Sequence, residues 1–88
     1  MIKKARAMSV KAYDENNQDM LKAYRSIVGE KENINIAADM ALIELTRSIE
    51  AGSTNFGDIF SLVRWCGKEL GIAPSDMDAF TIKVLQNI

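Results

Sequence analysis

The sequence predicts an all-α fold: a compact bundle of four to five short helices, expected to be oligomeric. Three observations lead there. Proline occurs once, at Pro74. Alternation of β-branched with polar residues, the mark of a half-buried strand, is scarce. Apolar residues recur instead at helical spacing, in segments parted by glycine or by short polar runs. Eighty-eight residues make one domain, 1–88. A chain this short buries a modest core, and association with a second copy is a common way to enlarge it.

Residues 1–12 are the weakest helical candidate. Ile2, Ala5, Met8 and Ala12 make a thin stripe among Lys3, Lys4, Arg6 and Lys11. The segment reads either as a short helix or as a flexible basic arm that orders on a partner. Met20, Leu21, Tyr24, Ile27 and Val28 then share one helix face, and Gly29 stops it. That helix is expected to start near Asp14 or to reach back through Tyr13. "GEKEN", residues 29–33, is a polar turn. Asn33 or Asn35 can cap the next helix, because a short amide accepts a bond from a free backbone N–H.

The third helix is expected to run to about Ala51. Its middle, "MALIEL" at 40–45, is apolar on nearly every side except Glu44. Such a helix needs neighbours on more than one side. It is either the central helix of the bundle or the seam of an oligomer. In the second case Met40, Leu42, Ile43 and Leu45 form the interface.

"AGSTNFGD", residues 51–58, breaks the pattern. Ser53, Thr54 and Asn55 are alternative caps, and Asp58 suits a first turn, where the helix dipole favours a carboxylate. The fourth helix places Phe56, Ile59, Phe60, Val63 and Leu70 on one side and ends at Gly71. Pro74 cannot continue it. Ser75 and Asp78 form an S-x-x-D capping pattern for the last helix, whose apolar face is Met77, Phe80, Val84 and Ile88.

Composition removes most chemistry. There is no histidine and one cysteine, Cys66. The commonest general base and metal ligand are therefore missing, and no disulfide can form within the chain. No cofactor, metal or enzymatic activity is expected. Asp14/Glu15 and Asp76/Asp78 lack the i, i+3 or i+4 spacing that would bring two carboxylates together. "GSTNFG" lacks the Lys-Ser/Thr of a phosphate-binding loop. No apolar run spans a membrane, and the lone cysteine without a leader-like segment leads to an expected cytoplasmic location. The formal net charge of −1 divides unevenly, +3 over residues 1–25 and −4 over 26–88.

"WCGKELGIAPSDMDAF", residues 65–80, resembles the turn of the helix-turn-helix family. The resemblance implies positive φ at Gly71 and a second helix whose early side chains meet base edges. Those side chains here are Ser75, Asp76, Asp78 and Ala79. Two carboxylates stand where Arg, Lys, Asn or Gln would be needed. Arg64, Lys68 and Lys83 are too few to neutralise many phosphates. An ordinary helix corner is expected, without direct nucleic-acid binding. A small DNA-binding regulator that uses this corner is the alternative.

Cys66 is expected to be a small buried hydrophobe. Trp65 falls off the core face, so it either packs beneath the N-terminal segment or stands exposed beside Arg64, a pair enriched at protein interfaces. As a whole, the chain resembles the small helical regulators of phages and prophages, antirepressors and inhibitors among them. That resemblance implies a regulator that binds another protein, in its sharpest form an antirepressor that sequesters a repressor. Arg64, Trp65, Lys68, Asp76 and Asp78 are the partner-binding candidates, the acidic pair being suited to a basic DNA-binding domain.

Overall fold

A computed structural model of the chain describes residues 5–52 and 56–88, with the backbone alone of Phe56. Five helices follow one another: α1 Ala7–Glu15, α2 Met20–Val28, α3 Ile34–Glu50, α4 Ile59–Glu69 and α5 Met77–Leu85. Short 3-10 turns, Phe56–Asp58 and Pro74–Asp76, lead into α4 and α5. No strand occurs among the described residues. The bundle measures 32 × 30 × 18 Å, and its short dimension fits two layers of helices, each about 10 Å across.

α3 is the central helix. It packs against all four others, while α1 also packs on α2 and α4 on α5. Every residue from Ile36 to Ile43 is buried, and so is Leu45. This burial corrects the expectation that Met40, Leu42, Ile43 and Leu45 form an oligomer seam. One protomer already encloses all four, and they offer no surface to a second copy. Asn33 caps α3 by accepting from the Ile36 N–H at 3.2 Å, and its own N–H donates to the Tyr24 hydroxyl at 3.0 Å.

From Ala7 onward the N-terminal segment takes the helical one of its two readings. Residues 7–12 are part of α1, docked in the bundle, and the arm alternative does not apply to them. Ile2, Lys3 and Lys4 lie outside the described residues. The inward face is Ala5, Ser9, Ala12 and Tyr13, at i, i+4, i+7 and i+8, and Met8 is exposed. Ser9 Oγ donates to Asp39 Oδ2 at 2.9 Å, and Arg6 Nη1 donates to the same oxygen at 2.7 Å. Tyr13 OH donates to Glu44 Oε1 at 2.6 Å. Arg47 lies over the Tyr13 ring, 5.0 Å from its centre, and pairs with Asp14 at 2.8 Å. The apolar stripe of the sequence holds Ala5 and Ala12 but neither Ser9 nor Tyr13, which meet α3 through hydrogen bonds.

Tyr13 and Asp14 thus belong to α1, and α2 starts later than expected. Asn17 and Gln18 take left-handed φ, 58° and 62°, and reverse the chain between the two helices without a glycine. Asp19 caps α2 by accepting from the Lys22 N–H at 3.0 Å. Gly29 ends α2 with φ 65°.

α4 ends as the sequence indicates. Gly71 has φ 75°. Its N–H donates to the Lys68 carbonyl at 3.1 Å, and the Ile72 N–H donates to the Gly67 carbonyl at 3.0 Å. This is the paired bonding of a left-handed helix end, which satisfies two carbonyls that have no partner within the helix. Ser75 does not cap α5. It lies inside the 3-10 turn that Pro74 opens, and α5 starts at Met77 without a side-chain cap. Proline's fixed φ initiates the turn in place of a hydroxyl. The corner is tied down by Glu32, whose Oε1 accepts from the Ala73 N–H at 2.8 Å. Phe60 is exposed rather than in the core face of α4, which is Ile59, Val63, Cys66, Gly67 and Leu70. The expected caps Ser53, Thr54 and Asn55, and the side chain of Phe56, lie outside the described residues.

Two stability outcomes follow from the corner. Gly71→Val forces a β-branched residue to positive φ and should cost more than about 1 kcal/mol. Ser75→Ala removes no cap and should stay within about 0.5 kcal/mol of the parent. Urea midpoints of the two variants measure both. The ion pair beneath α1 gives a further outcome. Arg6→Met leaves the buried Asp39 carboxylate with Ser9 alone and should destabilise by about 1–3 kcal/mol, discounted from a fully buried pair because Arg6 is half-exposed. The same variant should show faster amide exchange in α1 than in α3.

Candidate functional site

The outer surface of α4 carries three of the five partner-binding candidates. Its core face turns Ile59, Val63, Cys66 and Leu70 inward, so the residues between them point out. Trp65 is 47% exposed and Phe60 is 55% exposed. Lys68 is exposed and Arg64 half-buried. Phe60, Arg64 and Lys68 form one row, at i, i+4 and i+8. The Arg64 guanidinium lies over the Phe60 ring, 5.8 Å from its centre, in a cation–π contact. Trp65 stands on the other flank, about 140° round the helix from Phe60 at 100° per residue. A partner laid along α4 therefore meets cations in the middle and one aromatic ring on each side. Phe60 was missed in the sequence because an aromatic residue next to Ile59 reads as core. Its angle from the Val63–Leu70 row carries the only signal to the contrary.

Asp76 and Asp78 are not part of that face. They sit beyond the corner, Asp76 half-buried in the 3-10 turn and Asp78 exposed in the first turn of α5. Among the described residues neither forms an ion pair with Arg64 or Lys68.

A second polar surface was not legible in the sequence. A groove of about 260 Å³ runs between α1, α3 and α5, lined by Arg6, Asn35, Asp39, Lys83 and Asn87 among others. These residues come from three segments, from Arg6 to Asn87, so no spacing rule connects them. Arg6 is held there by Asp39 and by the Asn35 carbonyl, to which it donates at 3.3 Å. Its charge is largely spent on the carboxylate that anchors it. Among the described residues there is no group of three or more His, Cys, Asp or Glu side chains placed to hold a metal ion. No helix of the described residues is long and apolar enough to cross a membrane.

Two buried groups are shifted against ionisation. Burial pushes the Cys66 thiol up to about 12, with the carboxylates of Glu44 and Glu69 adding to the effect. Burial also raises the Tyr13 hydroxyl, helped by its hydrogen bond to Glu44. A thiol this reluctant to ionise is a poor nucleophile. Cys66 is free and buried, and behaves as a small core residue.

Linkage sets the sign of the pH effect. A raised folded-state value keeps the proton on in the native state where the unfolded chain would lose it. The stability contributed by Cys66 is therefore intact below pH about 9, the ordinary thiol value, and is lost as pH rises toward about 12. Urea midpoints should fall over that window, and less so in Cys66→Ala relative to its own midpoint at neutral pH. At pH 8 a thiol-specific disulfide reagent should label native Cys66 only at the rate of structural opening, and label it at once in strong denaturant. No protein-family model matches the chain, and no curated protein or solved structure matches it at a significant level.

Proposed function

We propose that this chain is a non-enzymatic regulator that binds another protein through the outer face of α4. The observation that carries the reading is the exposure of Trp65 and Phe60 on either side of Arg64 and Lys68. A domain this small gains from enclosing every large ring, and two left in water on one helix mark a surface used for something else. Tryptophan and arginine dominate the binding energy of protein interfaces, because each offers a large contact area with a polar end. The reading uses no nucleophile, metal or cofactor.

The narrower form is an antirepressor that occupies a repressor's DNA-binding domain. It rests on the resemblance of the whole chain to phage-type regulators and on Asp76 and Asp78, whose charge suits a basic surface. It gives the Gly71 corner a purely architectural part, with no role in DNA.

Affinity capture with the wild-type chain, repeated with Trp65→Ala and with Asp76→Asn/Asp78→Asn, tests both forms. Trp65→Ala should reduce binding of the captured protein by about tenfold or more while leaving the melting temperature within about 2 °C. The double Asn variant should weaken binding only if the partner's face is basic. Retention on heparin, with a shifted short duplex at about 0.15 M salt, would replace this reading by the DNA-binding one.

A further inference from the structure

The outer face of α5 carries a stripe that no other helix covers. Ala79 and Ile82 lie along it, and Gln86, the helical-φ residue that caps α5, continues it at i+7; all three are exposed, Ile82 to 55%. Asp78 and Lys83 flank the stripe on opposite sides. Both are exposed, and neither forms an ion pair among the described residues. Five residues apart, they cannot reach each other along one helix, where facing side chains are three or four apart.

That spacing has a meaning between helices. With Ala79, Ile82 and Gln86 at the a, d and a positions of a heptad, Asp78 takes g and Lys83 the next e. When two parallel helices are related by a two-fold axis, each g residue faces the e residue five positions on in the other copy. Asp78 then meets Lys83 of the second copy, and Lys83 meets the second copy's Asp78. A single self-complementary contact satisfies both charges on both chains. Antiparallel pairing sets like flanks together. Asp78 would face the flank that carries Asp78 and Leu85, and both charges would stay unpaired. The small Ala79 allows close approach, and Ile82 fills the centre. Ile34, at the start of α3, lines the same shallow groove of about 480 Å³ with Ala79, Ile82 and Gln86, and widens the apolar contact.

We infer that the outer face of α5 is the seam of a parallel, two-fold homodimer, held by Ile82 packing and by reciprocal Asp78–Lys83 pairs. This moves self-association from the enclosed α3 to α5, and it does not depend on the α4 reading. One isoleucine per copy makes a small contact, so the dimer should form only at high concentration, with a dissociation constant of about 0.1 mM.

Sedimentation equilibrium of the full chain from about 10 µM to about 1 mM, at low salt where exposed pairs are least screened, reads the association. The mass should rise from one chain to two. Asp78→Lys replaces two attractive pairs by two repulsive ones and should weaken the dimer by about tenfold. Adding Lys83→Asp in the same chain should restore it, and Ile82→Lys should abolish it. All these positions are exposed, and thermal melts confirm that each variant folds. Orientation is read separately. In a parallel seam the two copies of residue 79 face each other, so Ala79→Cys should oxidise to a linked dimer faster than the control Ser61→Cys on α4. A single-chain mass at about 1 mM, a dimer indifferent to Asp78→Lys, or equal oxidation of the two cysteine variants would each overturn the inference.

Discussion

The burial of α3 on all sides is the constraint on which the rest of the structure depends. A helix with Ile36, Ala37, Ala38, Met40, Ala41, Leu42, Ile43 and Leu45 cannot leave any flank in water without losing much of what stabilises a domain of this size. The other four helices of the chain close that circumference. Each has a narrow inward face because it has only a part of α3 to cover. The short connections follow from the same requirement, since neighbours round a common centre are joined by tight reversals such as the one at Asn17 and Gln18.

Two polar residues interrupt the apolar surface of α3, and both are answered by α1. Asp39 receives Arg6 and Ser9, and Glu44 receives Tyr13. A buried carboxylate without donors would cost several kcal/mol, so these partners are a condition of placing Asp39 inside at all. In return they set the register of α1, because donors at positions 6, 9 and 13 fit acceptors at 39 and 44 in only one alignment. α1 thus depends on directional bonds where the other helices rely on contact area. Within α4 and α5 the corresponding device is Gly67. A Cβ there would stand 2.5 Å from Met77 Sδ and 3.1 Å from Phe80 Cε2, so its absence lets the two helices close together.

With the core closed by one protomer, the large apolar side chains left outside gain their interest. Phe60 and Trp65 on α4 and Ile82 on α5 are separate surfaces with different chemistry. The first combines rings with cations, the chemistry on which the proposed contact with another protein rests. The second carries one anion and one cation at the spacing that the proposed pairing of two copies uses. A domain that used both would present its α4 face twice, once per subunit, and a two-fold partner would then bind with the added strength of two linked contacts.

Much of this could be read from the residues alone, where the information is local. The helix ends at Gly29 and Gly71 depend on backbone conformation within a few residues, and the sequence specifies them by residue type; the cap it narrowed to Asn33 or Asn35, and the structure chose Asn33. The all-round apolar run of 40–45 likewise announces a helix in need of neighbours, and the Val63–Leu70 row takes Trp65 off the core face, while its exposure was decided by the fold. What only the tertiary structure decided is which neighbours come. Whether α3 is covered by its own chain or by a second copy is a question of packing, and burial by four short helices answered it. The polar half of the α1 docking face, Ser9 and Tyr13, stayed hidden because hydrogen-bonding partners thirty positions away have no periodicity to detect. Ser75 lost its capping role to Pro74 because ring geometry starts a turn before a hydroxyl can. The shared groove of Arg6, Asp39 and Lys83 exists only once three helices meet, since proximity across a core is a property of the folded chain and not of any segment of it.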